Sequence, residues 1–90
     1  MEINYKVPNG KLLRLDVLMN YERIKDISIR GDFFIYPENK IILLEEALIG
    51  AKILEVEEIL TKIIKKNEIQ VLGFTPKDVV DALTFNNVKN

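Results

Sequence analysis

The chain has 90 residues, of which 48% are hydrophobic and 30% are charged, and it contains no cysteine and no histidine. A chain of this length buries one small core, so a single domain over residues 1–90 is expected. The missing residue types exclude disulfides, zinc fingers, cysteine nucleophiles and histidine-based catalysis. The net charge of −1 gives no electrostatic reason to bind nucleic acid or an anionic membrane, so neither is expected as a partner.

The sequence also lacks the patterns of a metal site, a secretory signal and a membrane-spanning segment. Any metal would need a cluster of carboxylates, and no acidic loop of that kind is present, so no metal site is expected. The N-terminus alternates polar and apolar residues, unlike a secretory signal, and no apolar run approaches the roughly 20 residues of a membrane span. The cytoplasm is therefore the expected compartment.

The first third of the sequence alternates apolar and polar residues, which is the pattern of strands that bury one face. Residues 3–7 and 13–19 each alternate in this way. Between them, Pro8-Asn9-Gly10-Lys11 has the proline and the Asn-Gly pair of a tight hairpin turn. A third strand at about 24–29 follows at similar spacing. These segments predict a three-stranded antiparallel meander.

From Pro37 onward the apolar period changes to 3.6, which predicts helices at about 37–50 and 53–66. A third helix is predicted after Thr75, which has the features of an N-cap with proline at the first helical position. We therefore predict an α+β fold in the order β-β-β-α-α-α, with the helices over one face of the meander. The sheet should occupy about residues 2–36 and the helices about residues 37–86.

Two lysines bracket the predicted hairpin turn. Lys6 and Lys11, together with the backbone at Gly10, would present a small anion site at one end of the sheet. Turn geometry alone also explains Gly10, and solvated lysines are common beside hairpins. The sequence leaves both interpretations open.

The segment Gly31-Asp32-Phe33-Phe34 follows the third strand. Adjacent side chains of an extended segment point to opposite sides, so Phe33 and Phe34 cannot both enter the core from such a segment. One ring is expected to face outward beside Asp32, and exposed aromatic rings are frequent at protein interfaces. The alternative is that the chain bends here and the first helix covers both rings.

Four segments resemble, in order, the C-terminal accessory domain of lipoate-protein ligases. They are the hairpin Lys6-Val7-Pro8-Asn9-Gly10-Lys11-Leu12, the crossover Ile29-Arg30-Gly31-Asp32-Phe33-Phe34-Ile35-Tyr36-Pro37, the helical Glu45-Glu46-Ala47-Leu48-Ile49-Gly50, and Gly73-Phe74-Thr75-Pro76-Lys77-Asp78-Val79-Val80-Asp81-Ala82-Leu83. The resemblance spans about residues 5–83. Asn9 is a departure, because the family usually has glycine at that position.

The resemblance implies a function that composition does not. Members of the family act beside a larger catalytic domain that activates lipoate with ATP and Mg²⁺ to lipoyl-adenylate and then transfers the lipoyl group to a lysine of an acceptor protein. In some organisms the accessory domain is a separate polypeptide, and this chain lacks the Arg-Arg-x-x-Gly-Gly run of the catalytic domain. The resemblance therefore implies a heterodimer in which this chain has no catalytic residue and binds no cofactor alone.

Within that resemblance, Lys6, Gly10 and Lys11 are expected near the substrate phosphates, and Asp32, Phe33 and Phe34 at the interface with the catalytic subunit. Acceptor proteins would be indirect partners. Two alternatives are open. The layout also resembles scaffold proteins of sulfur and iron-sulfur assembly, although the absence of cysteine argues against that chemistry. The other alternative is that the chain is a structural interaction domain with an unrelated partner.

Overall fold

A computed structural model describes residues 1–8 and 10–88, of which residues 86–88 are described as backbone. The strands are β1 (Glu2–Lys6), β2 (Leu12–Asn20), β3 (Arg23–Gly31), β4 (Phe34–Tyr36) and β5 (Gln70–Leu72), and the helices are α1 (Ile41–Ala47), α2 (Val56–Lys66) and α3 (Pro76–Val88). A 3₁₀ turn precedes each of the first two helices, at Glu38–Lys40 and Ile53–Glu55. The predicted α+β fold with three strands followed by three helices is confirmed.

The main sheet is an antiparallel meander in the order β1-β2-β3. Its strands alternate between buried and exposed residues, because one face lies against the helices and the other faces solvent. The core joins the inner face of the sheet to all three helices through Ile3, Leu13, Leu15, Val17, Ile27, Ile29, Leu44, Leu48, Val56, Leu60, Val79 and Leu83. Burying each of the larger side chains contributes about 1.5–3 kcal/mol to folding.

The meander itself ends at Gly31, although strand structure continues to Tyr36, where the predicted sheet region ends. Gly31 has a φ of +144°, and a Cβ at this position would collide with the carbonyl group of Leu12. After a last hydrogen bond from the Asp32 N–H to the Leu12 carbonyl at 3.0 Å, the chain leaves the sheet. Residues 34–36 then pair with Gln70–Leu72 as a separate two-stranded ribbon, β4–β5.

The outer edge of β3 is covered by the chain that follows it. A carboxylate oxygen of Glu45 on α1 accepts the backbone N–H of Ile29 at 2.8 Å. Further along the edge, the Ile24 N–H donates to the Ala51 carbonyl at 2.9 Å, and the Gly50 N–H donates to the Ile24 carbonyl at 2.7 Å. These bonds fix α1 beside the sheet and occupy groups with which another strand would pair.

The predicted start of the third helix is confirmed. The backbone N–H of Thr75 donates to the Asp78 carboxylate at 2.7 Å, and the Asp78 N–H donates to the Thr75 hydroxyl at 3.3 Å. This reciprocal arrangement is a capping box, with Asp78 at the position that Glu or Gln more often occupies. It fixes the point at which the chain turns from β5 into α3.

The two adjacent glutamates of α1 provide a test of how the helix is held. We expect Glu45→Ala to lower the free energy of unfolding by about 1–3 kcal/mol, because the part-buried N–H of Ile29 loses a charged acceptor. Glu46 is exposed, so Glu46→Ala should change stability by less than about 0.5 kcal/mol. Urea unfolding followed by circular dichroism measures both. Equal effects of the two substitutions would contradict this role of Glu45.

Candidate functional site at the hairpin end of the sheet

The turn between β1 and β2 closes through backbone hydrogen bonds. The Gly10 N–H donates to the Val7 carbonyl at 2.8 Å, and the Val7 N–H donates to the Lys11 carbonyl at 3.0 Å. The predicted hairpin is therefore confirmed. The departure from the family pattern at Asn9 lies outside the described residues.

Three segments that are distant in sequence meet beside this turn. Gly73, which follows β5, has a φ of +116°, and a Cβ on it would lie 2.9 Å from the Cβ of Phe33 and 3.4 Å from the Cγ of Lys11. A Cβ on Gly10 would lie 3.1 Å from the Gly73 carbonyl oxygen and 2.9 Å from the Val7 side chain. The hairpin, the crossover after β3 and the segment before α3 thus pack together where only glycine fits.

The two lysines of the predicted anion site lie at this end of the molecule. Lys6 is opposite Leu12 in the β1–β2 register, one residue from Lys11, and both lysines are exposed. The stem of Lys11 passes over Gly73. Neither lysine forms an ion pair within residues 1–8 and 10–88. Both ammonium groups are therefore available to a ligand or a partner.

The adjacent phenylalanines point to opposite sides, as the extended backbone predicts. Phe33 is half-buried and contacts Phe74 edge to face, with ring centroids 4.7 Å apart and planes at 80°. Phe34 is 63% exposed. The prediction that one ring faces outward is confirmed, and the interpretation in which α1 covers both rings is wrong. Asp32 is exposed, whereas Phe33 offers little surface to a partner because it packs against the core.

The β4–β5 ribbon presents an apolar surface that the sequence analysis missed. Phe34, Tyr36 and Leu72, here called the ribbon patch, are 63%, 67% and 70% exposed. Phe34 lies opposite Leu72, and a depression of about 220 Å³ is lined by the patch and Gln70. The sequence analysis treated residues 34–36 as part of the crossover, and the strand with which they pair is three residues long and shows no period of its own. Contiguous exposed apolar side chains are a common feature of interaction sites.

The titratable side chains of the described residues lie at the surface. No three acidic side chains of residues 1–8 and 10–88 come together as metal ligands. Hydrogen bonding to Asp81 raises the pKa of Lys77, but both side chains belong to a surface ion pair on α3. Every helix within the described residues is too short or too polar to cross a membrane. The geometry offers an apolar docking surface and two unpaired ammonium groups.

Comparison with known proteins identifies the family. No family model matches the sequence. The chain is 38% identical over 80 residues to lipoate-protein ligase A subunit 2 of Thermoplasma acidophilum, an alignment that covers 89% of this chain and 83% of the relative. The chain belongs to this ligase subunit family.

A solved structure supports the assignment to the ligase subunit family. The structure is that of a bi-partite lipoate protein ligase and its E2 lipoyl domain from Thermoplasma acidophilum, and it superposes on this chain with a TM-score of 0.77. The two chains are 35% identical, and 92% of each is covered. The resemblance of the four sequence segments to the ligase accessory domain is thus confirmed.

Proposed function

We propose that this chain is the accessory subunit of a two-part lipoate-protein ligase. It acts with a separate catalytic subunit that uses ATP to activate lipoate to lipoyl-adenylate, before the lipoyl group is transferred to a lysine of an acceptor protein. The observation that carries the proposal is the 38% identity over 89% of this chain to subunit 2 of such a ligase. The match to a chain of a bi-partite ligase supports the same assignment.

In this proposal ATP, Mg²⁺ and lipoate are held by the catalytic subunit. The described residues fit that division, because the largest buried side chains are aliphatic and no buried polar side chain is found among them. A magnesium ion needs carboxylate ligands or substrate phosphates, and no three acidic side chains within the described residues come together to supply them. A cysteine-free chain also suits the reducing cytoplasm, where we place the complex.

We propose further that the ribbon patch binds the catalytic subunit. Phe34, Tyr36 and Leu72 hold rigid positions on paired strands, so a partner that covers them orders little additional chain. Exposed aromatic side chains of this kind are the usual anchors of an interface. Asp32 lies beside them at the crossover and would lie at the polar rim.

We also propose that the hairpin lysines, Lys6 and Lys11, support adenylation. The reaction develops negative charge on the α-phosphate and the leaving pyrophosphate, and a preorganised cation stabilises such charge most where water is excluded. The short turn and the packing over Gly73 restrict Lys11, so it loses less entropy on meeting a phosphate oxygen than a lysine on a loose tail. Lys6 would act at longer range, and Gly10 lets the hairpin approach closely. The subunit would then move aside for the acceptor protein.

The first prediction of the proposed function concerns the division of the reaction between subunits. The isolated chain should release no pyrophosphate from ATP and lipoate, whereas addition of the catalytic subunit should give lipoyl-adenylate. Pyrophosphate release and mass spectrometry of the adenylate measure the two outcomes. Transfer from preformed lipoyl-adenylate should depend less on this chain than adenylation does. Pyrophosphate release by the isolated chain at the rate of the mixture would contradict the proposal.

The second prediction concerns the two phenylalanines. Phe34→Ala should weaken binding to the catalytic subunit by about 1–3 kcal/mol, as loss of an interface anchor does, and change the free energy of unfolding by less than about 1 kcal/mol. Phe33→Ala is the matched control and should instead destabilise the fold by about 2 kcal/mol or more, because it removes the contact with Phe74. Calorimetric titration and urea unfolding separate the two effects. Wild-type affinity of the Phe34→Ala variant would exclude the ribbon patch as the interface.

The third prediction concerns Lys11. In the assembled complex, Lys11→Met should slow lipoyl-adenylate formation about 10- to 1000-fold, the range for loss of one preorganised electrostatic group. Binding to the catalytic subunit should be unchanged. Lys25→Met, which removes an exposed lysine near the start of β3 and far from the hairpin, is the control and should leave the rate at the wild-type value. Equal adenylation rates for both variants and the wild type would show that the hairpin lysine is only structural.

A further inference from the structure

The face of the meander opposite the helices carries two arginines side by side. Arg14 of β2 and Arg30 of β3 are direct partners in the antiparallel register, and both are exposed. Side chains in such positions start about 5 Å apart at their Cβ atoms. Neither guanidinium forms an ion pair or a hydrogen bond with any residue in the described part of the chain.

This pair is unfavourable in the isolated protein. Like charges directly opposite each other destabilise an antiparallel sheet, and no carboxylate of residues 1–8 and 10–88 neutralises either group. Two guanidinium groups at this spacing instead present several planar N–H donors to one side of the sheet. Carboxylates and phosphates are the groups that such donors bind in bidentate fashion. The geometry therefore favours an anionic partner that relieves the repulsion.

The neighbouring charges favour carboxylates over phosphates. Glu2 and Asp16 are partners in the next exposed row of the sheet and line the same depression of about 230 Å³ as the arginines. Two residues along a strand span about 7 Å, so an acidic row lies that far from the basic row. A polyphosphate or nucleic acid lying over both rows would be repelled by Glu2, whereas Asp16 is partly neutralised by the N-terminal ammonium at 3.6 Å. A protein surface with acidic and basic side chains at a similar spacing complements both rows.

The arginine pair is continuous with the proposed docking surface. Arg30 also lines a second depression, of about 480 Å³, which extends over Gly31 and Phe34 to Glu38. One partner that covers the ribbon patch would therefore also reach Arg30 and its neighbour Arg14. A polar and charged rim around an apolar centre is the usual organisation of a protein interface.

We propose that Arg14 and Arg30 bind carboxylate side chains of the catalytic subunit, as the charged part of the interface whose apolar part is the ribbon patch. This inference rests on the proposed function, because it takes the catalytic subunit as the partner. It goes further by specifying an acidic surface on that subunit. Association should consequently be sensitive to salt.

The test measures binding of the purified catalytic subunit by isothermal titration calorimetry. The double variant Arg14→Glu/Arg30→Glu should bind about 10- to 100-fold more weakly than the wild type, because two attractions become repulsions. The control Lys25→Glu/Lys65→Glu has the same net charge but changes exposed sites outside the two depressions, and it should bind within about threefold of the wild type. Raising NaCl from 50 to 500 mM should weaken wild-type binding more than that of the arginine variant.

The outcomes separate the two levels of proposal. A wild-type chain that does not bind the catalytic subunit overturns the proposed function and this inference with it. A wild-type chain that binds, with an arginine variant within threefold of it, overturns this inference alone. Saturable stabilisation of the free wild-type chain by inorganic phosphate, lost in Arg14→Gln, would assign the pair to a phosphate ligand instead.

A measurement on the isolated chain tests the repulsion itself. Arg14→Gln should raise the Tm by about 1–5 °C at low ionic strength, because it removes one of two opposed charges. Lys25 lies at the bulge of β3 and has no partner in the β2–β3 register, so Lys25→Gln should leave the Tm within about 1 °C. A Tm for Arg14→Gln equal to or below that of the Lys25→Gln control would contradict the repulsion.

Discussion

The absence of a side chain at Gly73 is the constraint on which the hairpin end of the molecule depends. A Cβ there would meet Phe33 at 2.9 Å, and the chain has a φ of +116° that other residues rarely adopt. The Gly73 carbonyl in turn lies against Gly10 of the hairpin. Three chain segments therefore approach at backbone distance, and the positions of Lys11 and the crossover are fixed together rather than separately.

This close approach also determines which side chains are exposed. Because Phe33 packs beside Gly73 and against Phe74, the next residue of the extended chain must point away from the core. Phe34 therefore faces solvent, and pairing with β5 places Leu72 beside it on the same face. The exposed ribbon patch is thus a consequence of how the crossover is buried. A substitution that enlarges Gly73 would be expected to disturb the patch through Phe33 as well as the hairpin.

The sequence predicted the parts of the fold that local patterns specify. Period-two alternation located the meander, and the Thr75-Pro76-Lys77-Asp78 cap located α3, because strand burial and helix capping act over a few residues. The β4–β5 ribbon was missed because it joins segments about 35 residues apart and each of them is only three residues long. The arginine pair was missed for a related reason. Residues 14 and 30 become neighbours only through the β2–β3 register, and no local pattern shows which residues will be opposite.

In a ligase built from two chains, this surface must hold the subunits together, whereas a fused domain is held by its linker. A short linker holds a fused domain at an effective concentration of about millimolar, whereas separate subunits must associate through their interface alone. The described surface has features suited to that demand. In the proposed interface, the ribbon patch would supply apolar area, and the arginine pair would supply charge that speeds association and rejects wrong partners. Because Lys11 is fixed to the same end of the fold through Gly73, the docking that covers the patch would also set the position of the lysine. Subunit association and the supply of a cation to adenylation are therefore expected to be coupled through one rigid end of the molecule.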